Sequence, residues 1–265
     1  MVIKNLKVNN AQVNNSLVSI LQIKGAKMDI REKELDMLTC DGSANLYKVS
    51  ISGAVSIDGN LNANMLKVEG RVAVDGSAKL DSVDLKNDLV IDGNLDLNKG
   101  VVLGKIKVDG SASLNELDLK KNLFVDGSLT LNKGVILGEV EVDGSANINY
   151  AELKSDLTVD GSLNINNVSV SGKTDVDGMA SIKESKINDL VVCGKKTKIE
   201  FSEVKSIHVK KLNKIQILWR RRQVVRLIDS QVHGDIIFDS GDGEVILQNG
   251  ATVDGKIVGG KITTN

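Results

Sequence analysis

The stretch Asp109-Gly-Ser-Ala-Ser-Leu-Asn-Glu-Leu-Asp-Leu-Lys-Lys-Asn-Leu-Phe-Val125, followed at once by Asp126-Gly-Ser, decides the fold. An Asp-Gly pair preceded by Val, Ile or Cys recurs at Asp41, Asp58, Asp75, Asp92, Asp109, Asp126, Asp143, Asp160 and Asp177, and every interval is seventeen residues. With each Asp as coil position 1, the apolar residues of this stretch fall at positions 4 and 6 (Ala112, Leu114), 9 and 11 (Leu117, Leu119), and 15 and 17 (Leu123, Val125). A spacing of two within each pair is strand alternation, with both side chains on one face. The steps of three or four between pairs must turn the chain. Each repeat therefore predicts three short strands and three corners.

Corner composition agrees: Asp-Gly-Ser/Asn at positions 1 to 3, commonly Asn at position 7, and often Gly at position 13. These residues suit positive φ or tight turns. Three strands per coil, stacked coil on coil, make an all-β fold, a single-stranded parallel β-helix (solenoid) of triangular section. An even hexapeptide helix would repeat at eighteen, so the uneven seventeen favours the usual right-handed crossover.

Position 4 alternates strictly between small and large: Ala44, Leu61, Ala78, Leu95, Ala112, Leu129, Ala146, Leu163, Ala180. Stacked coils can then interdigitate at native density, and the true unit is a pair of coils. Position 7 carries Asn64, Asn98, Asn115, Asn132, Asn149 and Asn166, interrupted by Asp81. Stacked amides can hydrogen-bond along the axis as a stabilising ladder. The Asp column is read as turn carboxylates that splay into solvent, without a calcium requirement, because the glycine-rich nonapeptide of calcium-binding rolls is absent.

The composition fits this interior. Among 265 residues there are 25 glycines, no proline and 2% aromatics. A proline would remove a donor from a ladder that runs through every coil. The regular array spans residues 1–193, followed by irregular basic coils at 194–227 and closing coils at 228–265, all in one continuous domain. Cys40 and Cys193 both fall at position 17, nine coils apart, too far for a disulfide, and read as free thiols of a reducing compartment. No run of eighteen apolar residues occurs, and Met1 to Leu6 lacks the apolar stretch of a secretory signal, so a cytoplasmic protein is expected, with peripheral membrane association open.

The net charge of −1 hides a segregation, with −6 over residues 1–193, +9 over 194–226 and −4 over 227–265. The basic segment holds Lys205, Lys210, Lys211, Lys214, Trp219, Arg220, Arg221, Arg222 and Arg226. Three consecutive arginines cannot all face outward on an alternating strand, so Leu218 to Gln223 reads as a loop or bulge leaving the stack. Lys210, Lys211, Lys214, Trp219, Arg220, Arg221, Arg222 and Arg226 are the candidate partner- or anion-binding residues, for an acidic protein or an anionic membrane surface. Nucleic acid is not expected, because aromatics for base stacking are scarce. The bland alternative is a solvated corner or a cap plugged by Trp219.

No catalytic, cofactor-binding or metal-ligating set emerges. His208 and His233 lie in different segments, neither follows a nucleophile motif, and two cysteines with two histidines make no metal spacing. A carbohydrate enzyme on a β-helix would be expected to carry aromatic sugar platforms, and exposed aromatics read as nearly absent.

The Val-Asp-Gly corners, together with the terminal Val232-His-Gly-Asp-Ile and Gly255-Lys-Ile-Val-Gly-Gly-Lys-Ile, resemble the bactofilins, the polymer-forming bacterial cytoskeletal proteins. That resemblance implies a right-handed triangular β-helix that self-associates end to end without nucleotide, sometimes at a membrane. Two departures stand against it: the array is about twice the compact family core, and the proline-containing tails are missing. Open strand edges at the ends of a solenoid, which must be capped or paired, favour stacking on independent grounds. The expected function is a non-enzymatic scaffold or filament subunit. The alternative is a monomeric binding module, effector- or adhesin-like, using the basic loop or a flat solenoid face.

Overall fold

The computed structural model describes residues 2–6, 11–12, 18–23, 28–212 and 222–264. All regular structure among them is β, every inter-coil pairing is parallel, and no helix occurs. The chain divides into two compact units, Met1–Leu137 and Gly138–Asn265. Each is a parallel β-solenoid.

In the first unit a coil consists of an eight-residue strand, such as Ala112–Leu119, and a three-residue strand, such as Leu123–Val125. Leu95 faces Ala112 and Ile106 faces Leu123 in the neighbouring coil, so the register step is the seventeen of the sequence. The apolar positions 4, 6, 9, 11, 15 and 17 are buried as expected; in this coil Ala112, Leu114, Leu117, Leu119, Leu123 and Val125 are at most 3% exposed. The second unit begins the same way with Ala146–Leu153 and Leu157–Val159. Its later coils lengthen: Lys196 faces Val224 and Val224 faces Glu244, before Gly243 faces Gly260 at seventeen again.

Two of the three expected strands are fused. Positions 6 and 9 are an odd number of residues apart, so a regular pleat would send them to opposite faces. One residue at position 8 leaves the extended conformation and resets the phase, letting both side chains point inward. Glu32, Lys48, Met65, Ser82, Lys99, Glu116 and Lys133 take this role in the first unit, and Tyr150, Asn167, Glu184, Phe201, Asp229 and Asn249 in the second, all with φ between 47° and 59°. A non-glycine residue in the left-handed region costs about 1–2 kcal/mol, offset by burial of the apolar pairs on either side.

The Asp-Gly corner has a different cause from the one its composition suggests. None of its glycines has a positive φ; among the described residues the positive-φ glycines are Gly241, Gly250 and Gly259, all outside the regular array. Close approach requires glycine instead. The amide of Gly110 donates to the carbonyl of Gly93 at 3.1 Å, and that of Gly127 to Gly110 at 3.0 Å. A Cβ at Gly110 would lie 2.6 Å from the Gly93 oxygen, so no side chain fits where the coils touch. Position 3 reinforces the corner: the Ser77 amide donates to Asn60 Oδ1 at 2.8 Å and the Asn94 amide to Ser77 Oγ at 3.0 Å.

The position-4 alternation places Ala78 and Ala112 against opposite sides of Leu95. At position 9, Gly100 lies between Val83 and Leu117, and a Cβ there would come within 2.9 Å of Leu97 Cδ2. The position-7 ladder forms in the first unit, where Asn115 Nδ2 donates to Asn98 Oδ1 at 2.7 Å. Asp81 does not break it. As a pure acceptor it takes hydrogen bonds from Asn64 at 2.5 Å and Asn98 at 2.8 Å, one from each side.

In the second unit Asn166 stands in register with Asn149, and its buried Oδ1 has no hydrogen-bond partner among the described residues. The residue in register on its other side is Lys183, whose ammonium pairs with Glu184 at 3.2 Å. Thr174 stands between Leu157 and Leu190 with its hydroxyl buried and, among the described residues, unpartnered.

Two substitutions test this packing by thermal or chemical unfolding. Thr174→Val is isosteric, removes the orphan hydroxyl and should raise stability by about 1–2 kcal/mol. Gly110→Ala, which drives a methyl into the neighbouring carbonyl, should lower stability by about 1–3 kcal/mol.

Candidate functional site

The basic segment occupies a lengthened coil. Val192 faces Val209 and Lys196 faces Val224. The path from Val209 to Val224 is therefore eleven residues longer than that from Val192 to Lys196 (15 against 4). Lys214, Trp219, Arg220 and Arg221 lie outside the described residues, as do Leu218 and the rest of 213–221. Gln223 is not part of a departing loop. It is buried, and its Nε2 donates to the carbonyls of Lys210 at 2.9 Å and Gly194 at 3.3 Å, tying the insertion back to the stack.

The described cations divide into engaged and exposed. Lys210 Nζ holds both carboxylate oxygens of Asp175, at 2.8 and 3.0 Å, and Lys173 bonds the same carboxylate at 2.6 Å. Burial pushes the Asp175 carboxyl up, but the hydrogen bonds from Lys173 and Lys210 outweigh it and hold the group below the ordinary Asp range. The hydrogen bond with Asp175 in turn raises Lys210. Arg222 donates through Nε to Asp242 at 2.8 Å and lies 4.0 Å from Glu244. Lys211 and Arg226 are exposed and make no ion pair among the described residues.

Both histidines sit beside carboxylates: His208 Nε2 is 2.8 Å from Asp239 and His233 Nδ1 is 3.4 Å from Asp254. The hydrogen bond from His208 lowers the Asp239 carboxyl. Cys40 is a buried free thiol and Cys193 a half-buried one, and burial raises both. Among the described residues no group of three or more His, Cys, Asp or Glu side chains is placed to hold a metal ion.

Among the described residues, grooves run across the coils, two of them prominent. The first, in the first unit, is about 1040 Å3 and follows positions 3 to 5 from Ser43 to Thr130. Its position-3 acceptors are largely occupied by the next coil's amides, as in the Ser43, Asn60, Ser77 and Asn94 series. The second, about 610 Å3, lies in the second unit beside the left-handed residues Tyr150, Asn167, Glu184 and Phe201. Tyr150 and Phe201 are 58% and 53% exposed. Tyr47, in the first unit, is 38% exposed as well, so the expectation that exposed aromatics are nearly absent fails, and at this groove it fails twice. The period held the signal: both rings fall on coil position 8, three coils apart, a position that composition alone does not mark.

The floor of the second groove is position 9, with Ala151, Val168 and Ser185 buried. Ser185 Oγ accepts the Val168 amide at 3.0 Å and donates to the Lys183 carbonyl at 2.5 Å. Ser202 repeats this one coil on, accepting the Ser185 amide and donating to the Glu200 carbonyl. Each hydroxyl braces the backbone around a left-handed residue. The floor is therefore smooth and internally satisfied.

No known protein family matches the chain, and neither a curated protein nor a solved structure is significantly similar to it.

The Asp175 cluster sets a pH dependence. A depressed carboxyl adds stability above its unfolded value, about 3.9, and loses it as pH falls through the lower folded value. A raised lysine adds stability below about 10.4 and loses it as pH climbs through the higher folded value. Asp175→Asn should cost about 1–3 kcal/mol at neutral pH. The difference from wild type in unfolding experiments should shrink towards both extremes of pH.

Proposed function

We propose that this chain is a non-enzymatic structural β-solenoid whose coils stack end to end between copies, a scaffold or filament subunit of the bactofilin-like, polymer-forming kind. The observation that supports this reading is the apolar layer of the last described coil. Val253, Ile257 and Ile262 stand in register over Val232, Ile236 and Val245. The three beneath are fully buried, whereas Ile262 is 56% exposed and Val253 and Ile257 are half-buried. Among the described residues, the strands Thr252–Val253, Ile257–Val258 and Gly260–Thr264 pair with the preceding coil alone. A further parallel layer stacked on this coil would cover these side chains and use the open backbone edge, and a second copy of the solenoid is able to supply one.

A second reading, a binding module acting through the basic segment, is favoured by the eleven-residue excess and by exposed Lys211 and Arg226. It directs the segment at an acidic protein or an anionic membrane surface. Among the described residues no helix is long and apolar enough to cross a membrane.

Sedimentation velocity with negative-stain microscopy separates the two. Filaments are expected, and Ile262→Asp should return the protein to monomers without loss of fold, since the side chain is exposed. A wild-type chain that stays monomeric at high concentration overturns the assembly reading. Binding to anionic vesicles that is lost in Arg220/Arg221/Arg222→Ser then supports the second.

A further inference from the structure

Tyr150 and Phe201 are bulky aromatic residues held at φ 54° and 49°, a backbone state in which such side chains are rare. They are also more than half exposed, so burial does not account for them. The coil imposes the left-handed backbone at position 8 whatever residue stands there, so it is the placing of an exposed aromatic ring at two of these positions, where most coils carry a polar side chain, that points to a function. The two rings mark the ends of one groove, with Asn167 and Glu184 between them on the same coil position.

We propose that this groove binds a linear, uncharged, extended oligosaccharide lying along the coil axis, with sugar rings stacked on Tyr150 and Phe201. Three features carry the assignment. The first is spacing: the aromatics are three coil steps apart, about 14 Å at the usual strand separation. An extended β-linked hexose chain advances by nearly the same step per residue, so rings one and four of a tetrasaccharide reach the two aromatics. Their apolar faces suit an aromatic platform.

The second is charge. Each carboxylate at the groove has a lysine partner: Glu152 with Lys154 at 2.6 Å, Glu184 with Lys183 at 3.2 Å, and Glu203 with Lys186 at 3.1 Å. A groove neutralised pair by pair complements an uncharged ligand rather than an ionic one. The third is relief. The floor of Ala151, Val168 and Ser185 is small and its hydroxyl is spent on the backbone, leaving a flat bed, while Asn167 and Glu184 supply amide and carboxylate groups to the hydroxyls of the central sugars.

The site is independent of end-to-end assembly, because it lies on the side of the coils. The test is calorimetric titration of the full chain with linear, uncharged oligomers of glucose, N-acetylglucosamine, mannose and xylose, three to six units long, and a galacturonate oligomer as the charged comparison. At least one uncharged series should bind, with affinity rising about tenfold from three to four units as the second aromatic is reached. The galacturonate oligomer should not bind.

Tyr150→Asn and Phe201→Asn should each weaken binding about tenfold. Melting temperature should be unchanged or raised in both, since Asn tolerates the left-handed backbone better. No binding of any uncharged series at millimolar concentration overturns the proposal. So does binding that survives both substitutions, or equal binding of the charged oligomer.

Discussion

Every other feature of this protein depends on one constraint: each coil must offer its amides and carbonyls to the next coil at the same phase. At the Asp-Gly corners the coils come so close that the Gly93 oxygen receives the Gly110 amide where any Cβ would collide. Corner and strands together make an almost uninterrupted ladder, and proline, which has no amide hydrogen, is absent from all 265 residues. Seventeen residues is the path length that returns the chain to phase.

Keeping that phase has a local cost. Two apolar pairs that both face inward cannot be joined by a regular pleat, so one residue per coil goes left-handed. What stands at position 8 then projects outward. Polar stacks follow from the same constraint: with like positions superposed, one amide meets another or an acceptor such as Asp81, and the stack ends where Lys183 interrupts it. A lattice this repetitive turns a single departure from pattern into a visible gap, as at Asn166 and Thr174.

The fold was legible because periodicity carries it. Strand positions, buried residues and the small-large alternation need only the spacing of Asp-Gly and the pleat. The role of the corner glycines was not legible, since close approach and positive φ select the same residue and only coordinates separate them. Lys210 reads as a free cation in a basic run, yet it reaches Asp175, 35 residues away, across stacked coils. Sequence distance hides such pairs unless the register of each lengthened coil is known. Tyr150 and Phe201 were missed for the opposite reason: the register was known, but aromatics were counted by number rather than by coil position.

The alternation at position 4 bears on how such a chain can grow. Removing or copying one coil of seventeen would preserve the backbone ladder but set Leu against Leu or Ala against Ala, overfilling or hollowing the layer between them. Copying two coils together leaves both the ladder and the packing intact. Gene duplication and unequal crossing-over are therefore filtered by side-chain volume, and viable length variants of this protein should differ by pairs of coils.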